Sequence, residues 1–273
     1  ATPVSGATPV AAIGIATIAD NDGTPQFSIN DVSVNEGAGT ITFTVSLSNP
    51  AATGVTVDYT STPGTASVPG DVTAGTSALT GTLTFAPGVL TQTVTLNVTN
   101  DNVYEVSEAF TVNLSNASVG SAIADAIGVG TITDDGTGPG GSDNDAPTLA
   151  ISGPVSVNEA AGTLTYTVTL SNPAKDPVTV AYGTASGTAT SGSDFAASTG
   201  TLTFAPGVTS QTFTVDITND TLFEGAENYT VNLSAPTGGA TITTGSVTTT
   251  IRDDGTGSGG TNDDTPALSI ANV

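Results

Sequence analysis

Two stretches of this chain concentrate carboxylates at a fixed spacing. Asn100 to Leu114 reads NDNVYEVSEAFTVNL and Asn219 to Leu233 reads NDTLFEGAENYTVNL, the second beginning 119 residues after the first. Each places an Asp in a loop with Glu four and seven residues later: Asp101, Glu105 and Glu108, then Asp220, Glu224 and Glu227. Each then alternates apolar and polar residues as a half-buried strand does. Crowded loop carboxylates offer hard oxygen ligands to a divalent cation, or the paired acids of a glycoside hydrolase. The hydrolase reading is weak, because aromatic residues make up only 5% of the chain and each Glu pair has further acids beside it.

The composition points the same way. There is no His, so the usual general base near neutral pH and the commonest zinc and copper ligand are missing, and no Cys, which excludes thiol chemistry and disulfides. Most enzyme classes drop out, and no catalytic residue is assigned. Twenty-five Asp and Glu face two Lys and Arg, for a net charge of −23, which repels nucleic acid and anionic membrane. With 37% hydrophobic residues in regular alternation the chain is expected to fold, so its acids need solvent or a cation. Calcium, which takes six to eight oxygen ligands, is the expected cofactor.

The elements that must position these acids repeat. Thr, Ser, Val, 33 Gly and 15 Pro suit short strands joined by turns. Strands are predicted near 27–34, 40–47, 54–60, 80–85, 91–98, 109–115 and 126–133, and again near 149–157, 163–170, 178–183, 200–204, 211–218, 228–234 and 244–251. The fold class expected is all-β, with tandem antiparallel immunoglobulin-like β-sandwiches of about seven strands each and almost no helix. The sandwiches span 26–136 and 147–255, with Gly-rich linkers at 137–146 and from 256. Predicted core residues are Phe43, Val45, Leu83, Phe85, Val94, Leu96, Phe110, Val112 and Leu114, and Tyr166, Val168, Leu202, Phe204, Phe213, Val215, Tyr229, Val231 and Leu233. Residues 1–25 read as the last strand of a preceding module plus a linker, and 256–273 as a linker plus the first strand of a following one. A segment of a longer array is expected, with strand exchange between chains as the alternative. No signal peptide and no run of about 18 apolar residues is visible.

Strand parity gathers the acids. If each strand reverses direction, connections alternate between two poles, and Glu36, Asp71, Asp101, Glu105, Glu108, Asp134 and Asp135 all fall at one. In the second module the same pole receives Glu159, Asp194, Asp220, Glu224, Glu227, Asp253 and Asp254. Seven carboxylates at one pole raise each other's pKa unless a cation neutralises them. These fourteen residues are the predicted metal ligands, enough for two ions per pole with backbone carbonyls and water. Asp143 and Asp145 of the linker are possible helpers. Lys175 reads as a surface residue, and Arg252 as either paired with the acids next to it or solvated.

The combination of Val34-Asn35-Glu36-Gly37, Gly81 to Gly88, Asn100-Asp101 with Glu105 and Glu108, and Thr131-Ile132-Thr133-Asp134-Asp135 resembles the Calx-β family. Val157-Asn158-Glu159, Gly192-Ser193-Asp194-Phe195, Thr201 to Gly207, Asn219-Asp220 with Glu224 and Glu227, and Thr250 to Asp254 repeat the likeness. The resemblance implies calcium at the pole facing the next module. Gly136 and Gly255 stand where calcium-sensing members often have a third Asp, and Asn100 and Asn219 where they often have another, which implies fewer ions or weaker affinity.

The expected role is a calcium-binding structural segment of a secreted or cell-surface bacterial protein, an adhesin or surface-fibre extender. Its partners would be neighbouring modules of the same or identical chains, with any host or cell-surface ligand bound by other parts of the parent protein. A self-assembling fibre subunit and a calcium-sensing regulatory module are the alternatives.

Overall fold

The computed structural model describes residues 16, 21–138, 144–260 and 262–271. Among these there is no α-helix, and each module is a pair of β-sheets closed over its own core. In module one the strands are β1 (Gln26–Ile29), β2 (Val32–Asn35), β3 (Thr40–Leu47), β4 (Val55–Pro63), β5 (Val72–Ala74), β6 (Thr80–Phe85), β7 (Thr91–Val98), β8 (Glu108–Ser115), β9 (Ala122–Ile123) and β10 (Ile127–Thr133). One sheet has the order β5-β7-β3-β1-β9 and the other β2-β10-β8-β4-β6. Module two comprises β11 (Thr148–Ser152), β12 (Ser156–Asn158), β13 (Thr163–Leu170), β14 (Val178–Ser186), β15 (Thr199–Phe204), β16 (Ser210–Asp216), β17 (Glu227–Ser234), β18 (Thr241–Thr244) and β19 (Ser246–Arg252). Its sheets run β16-β13-β11-β18 and β12-β19-β17-β14-β15.

The continuous strand expected at 27–34 is broken, and its halves join opposite sheets. At the break, Asn30 Oδ1 accepts the Thr44 N–H at 2.6 Å and Asp31 Oδ1 accepts the Val129 N–H at 2.7 Å. These side chains take donors that a straight strand would leave to the ladder, so the chain can cross between sheets. In module two Pro154 sits at the crossing, where it has no N–H to donate and its carbonyl accepts the Thr249 hydroxyl at 2.6 Å. The sandwiches are therefore not purely antiparallel: β2 pairs parallel with β10, and β12 with β19. Parity requires this, since both members of each pair run towards the acidic pole. The loop expected around Asp71 also leads into an added edge strand, β5, paired with β7.

The predicted core residues are buried except Leu83, which is half-buried against the module-one core. Phe43 meets Phe110 edge-on at a centroid distance of 5.8 Å and Phe27 meets Phe85 at 5.2 Å. Module two puts Tyr in two of these places, and the buried Tyr166 hydroxyl lies 2.7 Å from that of Tyr229 and 2.5 Å from Thr249 Oγ1. Their phenols satisfy one another, which keeps the polar atoms from penalising burial.

Of the terminal strands expected, the one within 1–25 lies outside the described residues, which in that span are Ala16 and 21–25. The described part of the last stretch, 267–271, forms no strand and leaves Leu268 and Ile270 exposed.

Because the cores are separate, Phe110→Ala is expected to lower the unfolding free energy of module one by about 3–5 kcal/mol. Native-state hydrogen exchange should then show faster exchange in β3, β7 and β8, with β13, β16 and β17 unchanged.

Candidate metal centres

The acidic pole is built by short polar contacts that aim carboxylates inward. Asn35 and Asn158 are fully buried, and their Oδ1 atoms accept the Gly37 and Ala160 N–H groups at 3.0 Å, capping a 3-10 turn in each module. The caps hold Glu36 and Glu159 at 3% and 4% exposure, pointing into the pole. Asp101 and Asp220 accept the N–H two residues on, from Val103 and Leu222, each at 2.7 Å, which curls the start of the acidic loop. Its middle is tied to the end of the last strand, where Glu105 N–H donates to Asp134 Oδ2 at 2.8 Å and Glu224 N–H to Asp253 Oδ2 at 2.9 Å. Asp71 and Asp194 accept the N–H four residues back, from Ser67 at 2.7 Å and Thr190 at 2.6 Å.

Four groups result, in each of which a carboxylate oxygen from every member lies within 4.8 Å of the others: Glu36, Asp134 and Asp145; Asp71, Glu105 and Glu108; Glu159, Asp253 and Asp264; and Asp194, Glu224 and Glu227. Ten of the fourteen predicted ligands thus converge. Asp101, Asp135, Asp220 and Asp254 lie outside these groups and are exposed. Asp135 and Asp254 instead accept hydrogen bonds from the Thr137 and Thr256 N–H groups at 3.0 Å, closing the turn after the last strand.

Asp264 was not anticipated, and Asp145 only as a helper. Both linkers carry Asp two residues before Pro, at Asp145-Ala146-Pro147 and Asp264-Thr265-Pro266, and that repetition was the available signal. Asp143 lies outside the described residues. The second linker folds back over its own pole: Asn262 Nδ2 donates to Glu159 Oε1 at 3.2 Å and to Asn219 Oδ1 at 2.9 Å.

Electrostatics confirm crowding. Burial, followed by the charge of Asp134, pushes Glu36 up to about 8, and burial with a hydrogen bond to Asp194 pushes Glu227 up to about 7. Glu159 and Glu224 are raised as well, again mainly by burial. Glu36 Oε1, Glu108 Oε2 and Asp253 Oδ1 are buried with no hydrogen-bond partner among the described residues. An oxygen-only donor set with such lone pairs suits a hard cation, and calcium accepts the irregular geometry that loops provide.

Lys175 is exposed, as expected, but it is not merely solvated. It sits at the junction, its ammonium 2.6 Å from Glu108 Oε1 and 2.8 Å from Glu105 Oε1. Burial works against the charge, but these carboxylates outweigh it and raise the Lys175 pKa. The adjoining backbone is paired too, with Tyr104 N–H donating to Pro173 O and Lys175 N–H to Tyr104 O, both at 2.9 Å. The Tyr104 ring packs against the module-two core, where an added Cβ at Gly239 would lie 2.4 Å from its hydroxyl. Arg252 donates to Ser156 Oγ at 3.1 Å.

A family model described as Calx-beta domain matches the chain twice, over residues 19–136 and 142–255. A search of curated proteins gave no match. Among solved structures, CBD12 from CALX1.2 is 21% identical over 83% of this chain and 99% of that chain, with a TM-score of 0.40. The apo-form Calx CBD1 domain is 30% identical over 40% of this chain and 97% of that chain, with a TM-score of 0.38. The calcium binding domain CBD12 of CALX1.1 is 25% identical over 77% and 80% of the two chains, with a TM-score of 0.39. The two matched spans take in most of the sequence and all fourteen predicted ligands, and the chain therefore belongs to the Calx-beta domain family, as two domains in tandem.

Proposed function

We propose that this chain is a calcium-binding structural segment of a secreted or cell-surface bacterial protein, an adhesin or fibre extender, in which ions at the module poles stiffen a tandem array. The observation that carries this reading is the group of Glu36, Asp134 and Asp145. Its first two members belong to module one, while Asp145 leads directly into β11 of module two. An ion held by all three ties the linker to the pole and removes freedom at the junction. Glu36 supplies a buried oxygen that makes no hydrogen bond among the described residues, as a ligand position requires. The family also fits, since one matched solved structure is titled a calcium binding domain.

In this role the carboxylates bind and orient, and no group is assigned to catalysis. Asp134 accepts the Glu105 N–H, so filling one group steadies the loop that carries the other. The near absence of Lys and Arg leaves trypsin-like proteases few sites, which suits an exposed protein. The partners proposed are neighbouring modules of the same or identical chains.

Calcium at about a thousand times its Kd should add roughly 4 kcal/mol per site, which for modules joined in one chain of this size raises Tm by about 10 °C. Small-angle scattering should show a narrower distance distribution with calcium than with chelator. Unchanged melting and scattering would sink the stiffening mechanism. Glu36→Gln should weaken calcium binding at least tenfold by calorimetry.

The pH dependence follows from the raised acids. Folded Glu36 and Glu227 hold protons that the unfolded chain has already lost, so stability in chelator is fully present below pH 4.5. It falls as pH rises through about 7 for Glu227 and about 8 for Glu36, a decline that denaturant titrations in chelator should trace. Calcium should reverse this slope, because it binds the deprotonated acids and releases their protons.

A further inference from the structure

The two modules carry the same three-acid group at equivalent places and differ in what faces it. Asp194, Glu224 and Glu227 of module two have no basic side chain bridged to them among the described residues. Asp71, Glu105 and Glu108 of module one receive Lys175, the only lysine in the chain, reaching across from module two. Its Nζ stands 2.6 Å from Glu108 Oε1, 2.8 Å from Glu105 Oε1 and 3.9 Å from Asp71 Oδ2. The lysine side chain is 41% exposed, and the loop that presents it is held by more than the ion pairs. The Lys175 backbone is fixed by its hydrogen bond to Tyr104 O, and the next pairing, Tyr104 N–H to Pro173 O, anchors the same loop. Lys175 follows Ser171-Asn172-Pro173-Ala174, and the matching loop of module one, Ser48-Asn49-Pro50-Ala51, is followed by Ala52.

We propose that Lys175 is a tethered cation that fills the Asp71, Glu105 and Glu108 site in place of a divalent ion, closing the junction there without metal. An ammonium and a calcium ion on the same two oxygens repel each other strongly and so exclude each other. The ammonium also has the advantage of effective concentration, because the backbone pairing at Tyr104 delivers it to the site. The residue after Ser-Asn-Pro-Ala in a downstream module thus decides whether the upstream site takes an ion. Within this chain the poles divide: module one keeps the Glu36, Asp134 and Asp145 group for metal, and module two keeps both of its groups.

The metal-exclusion half of this inference rests on the calcium reading above, and the metal-free closure does not. The test uses the full chain, Lys175→Ala and Lys175→Arg, with hydrogen exchange in β3 and β13 confirming that both cores stay folded. In equilibrium dialysis, Lys175→Ala is expected to bind one calcium per chain more than the wild type, and Lys175→Arg the same number as the wild type. In chelator, scattering from Lys175→Ala should give a broader distance distribution than wild type, with calcium restoring it. Equal, non-zero calcium counts for wild type and Lys175→Ala would overturn metal exclusion while leaving the calcium reading intact. No calcium on either chain would overturn both. Identical scattering of the two chains in chelator would overturn the closing role of Lys175.

Discussion

Like charge at one pole is the constraint on which the rest of this structure depends. A sandwich in which the first and last strands both run towards the same end brings the connections β2–β3, β4–β5 and β7–β8 of module one and its chain exit to that end, and here all of them carry acids. Burial makes the crowding severe: Glu36, Glu108, Asp134, Glu159 and Asp253 are all less than 10% exposed. Left uncompensated, such groups keep protons they would ordinarily release, as the raised Glu36 and Glu227 show. A bound cation is the remedy that also fixes the loops, because it replaces repulsion with shared coordination.

Around that pole the fold is arranged for rigidity. Buried Asn35 and Asn158 lock the 3-10 turns that present Glu36 and Glu159. The break in the first strand lets β2 lie beside β10, and β12 beside β19, so the residues before the turn and those at the exit are bonded neighbours. The sheets set the spacing of the acids, and the loops only complete it.

The modules solve the same electrostatic problem differently. At the junction an ammonium from module two satisfies two carboxylates of module one, while Tyr104 crosses the other way to rest on the module-two core. At the far pole of module two, burial and then the neighbouring Asp194 raise the pKa of Glu227. Among the described residues, the three-acid group is bridged by a lysine of the other module in one copy and by no basic side chain in the other.

Much of this was legible in the sequence. Alternation of apolar residues marked the strands and nearly all of the core, because a period of two allows only one face to be buried. Parity alone gathered the acids at one pole, since direction reverses at each turn whatever the packing. Three things required the tertiary structure. The sheet crossing at Asn30 and Asp31 depends on side-chain acceptors finding N–H groups of β3 and β10, which are distant in sequence. Which acids converge was undecided, because Asp135 and Asp254 fit the motif yet are taken by the threonines two residues on. The place of Lys175 was invisible, since a lone lysine in a loop has no periodicity to betray it, and only the docking of one module on the next brings it among the carboxylates.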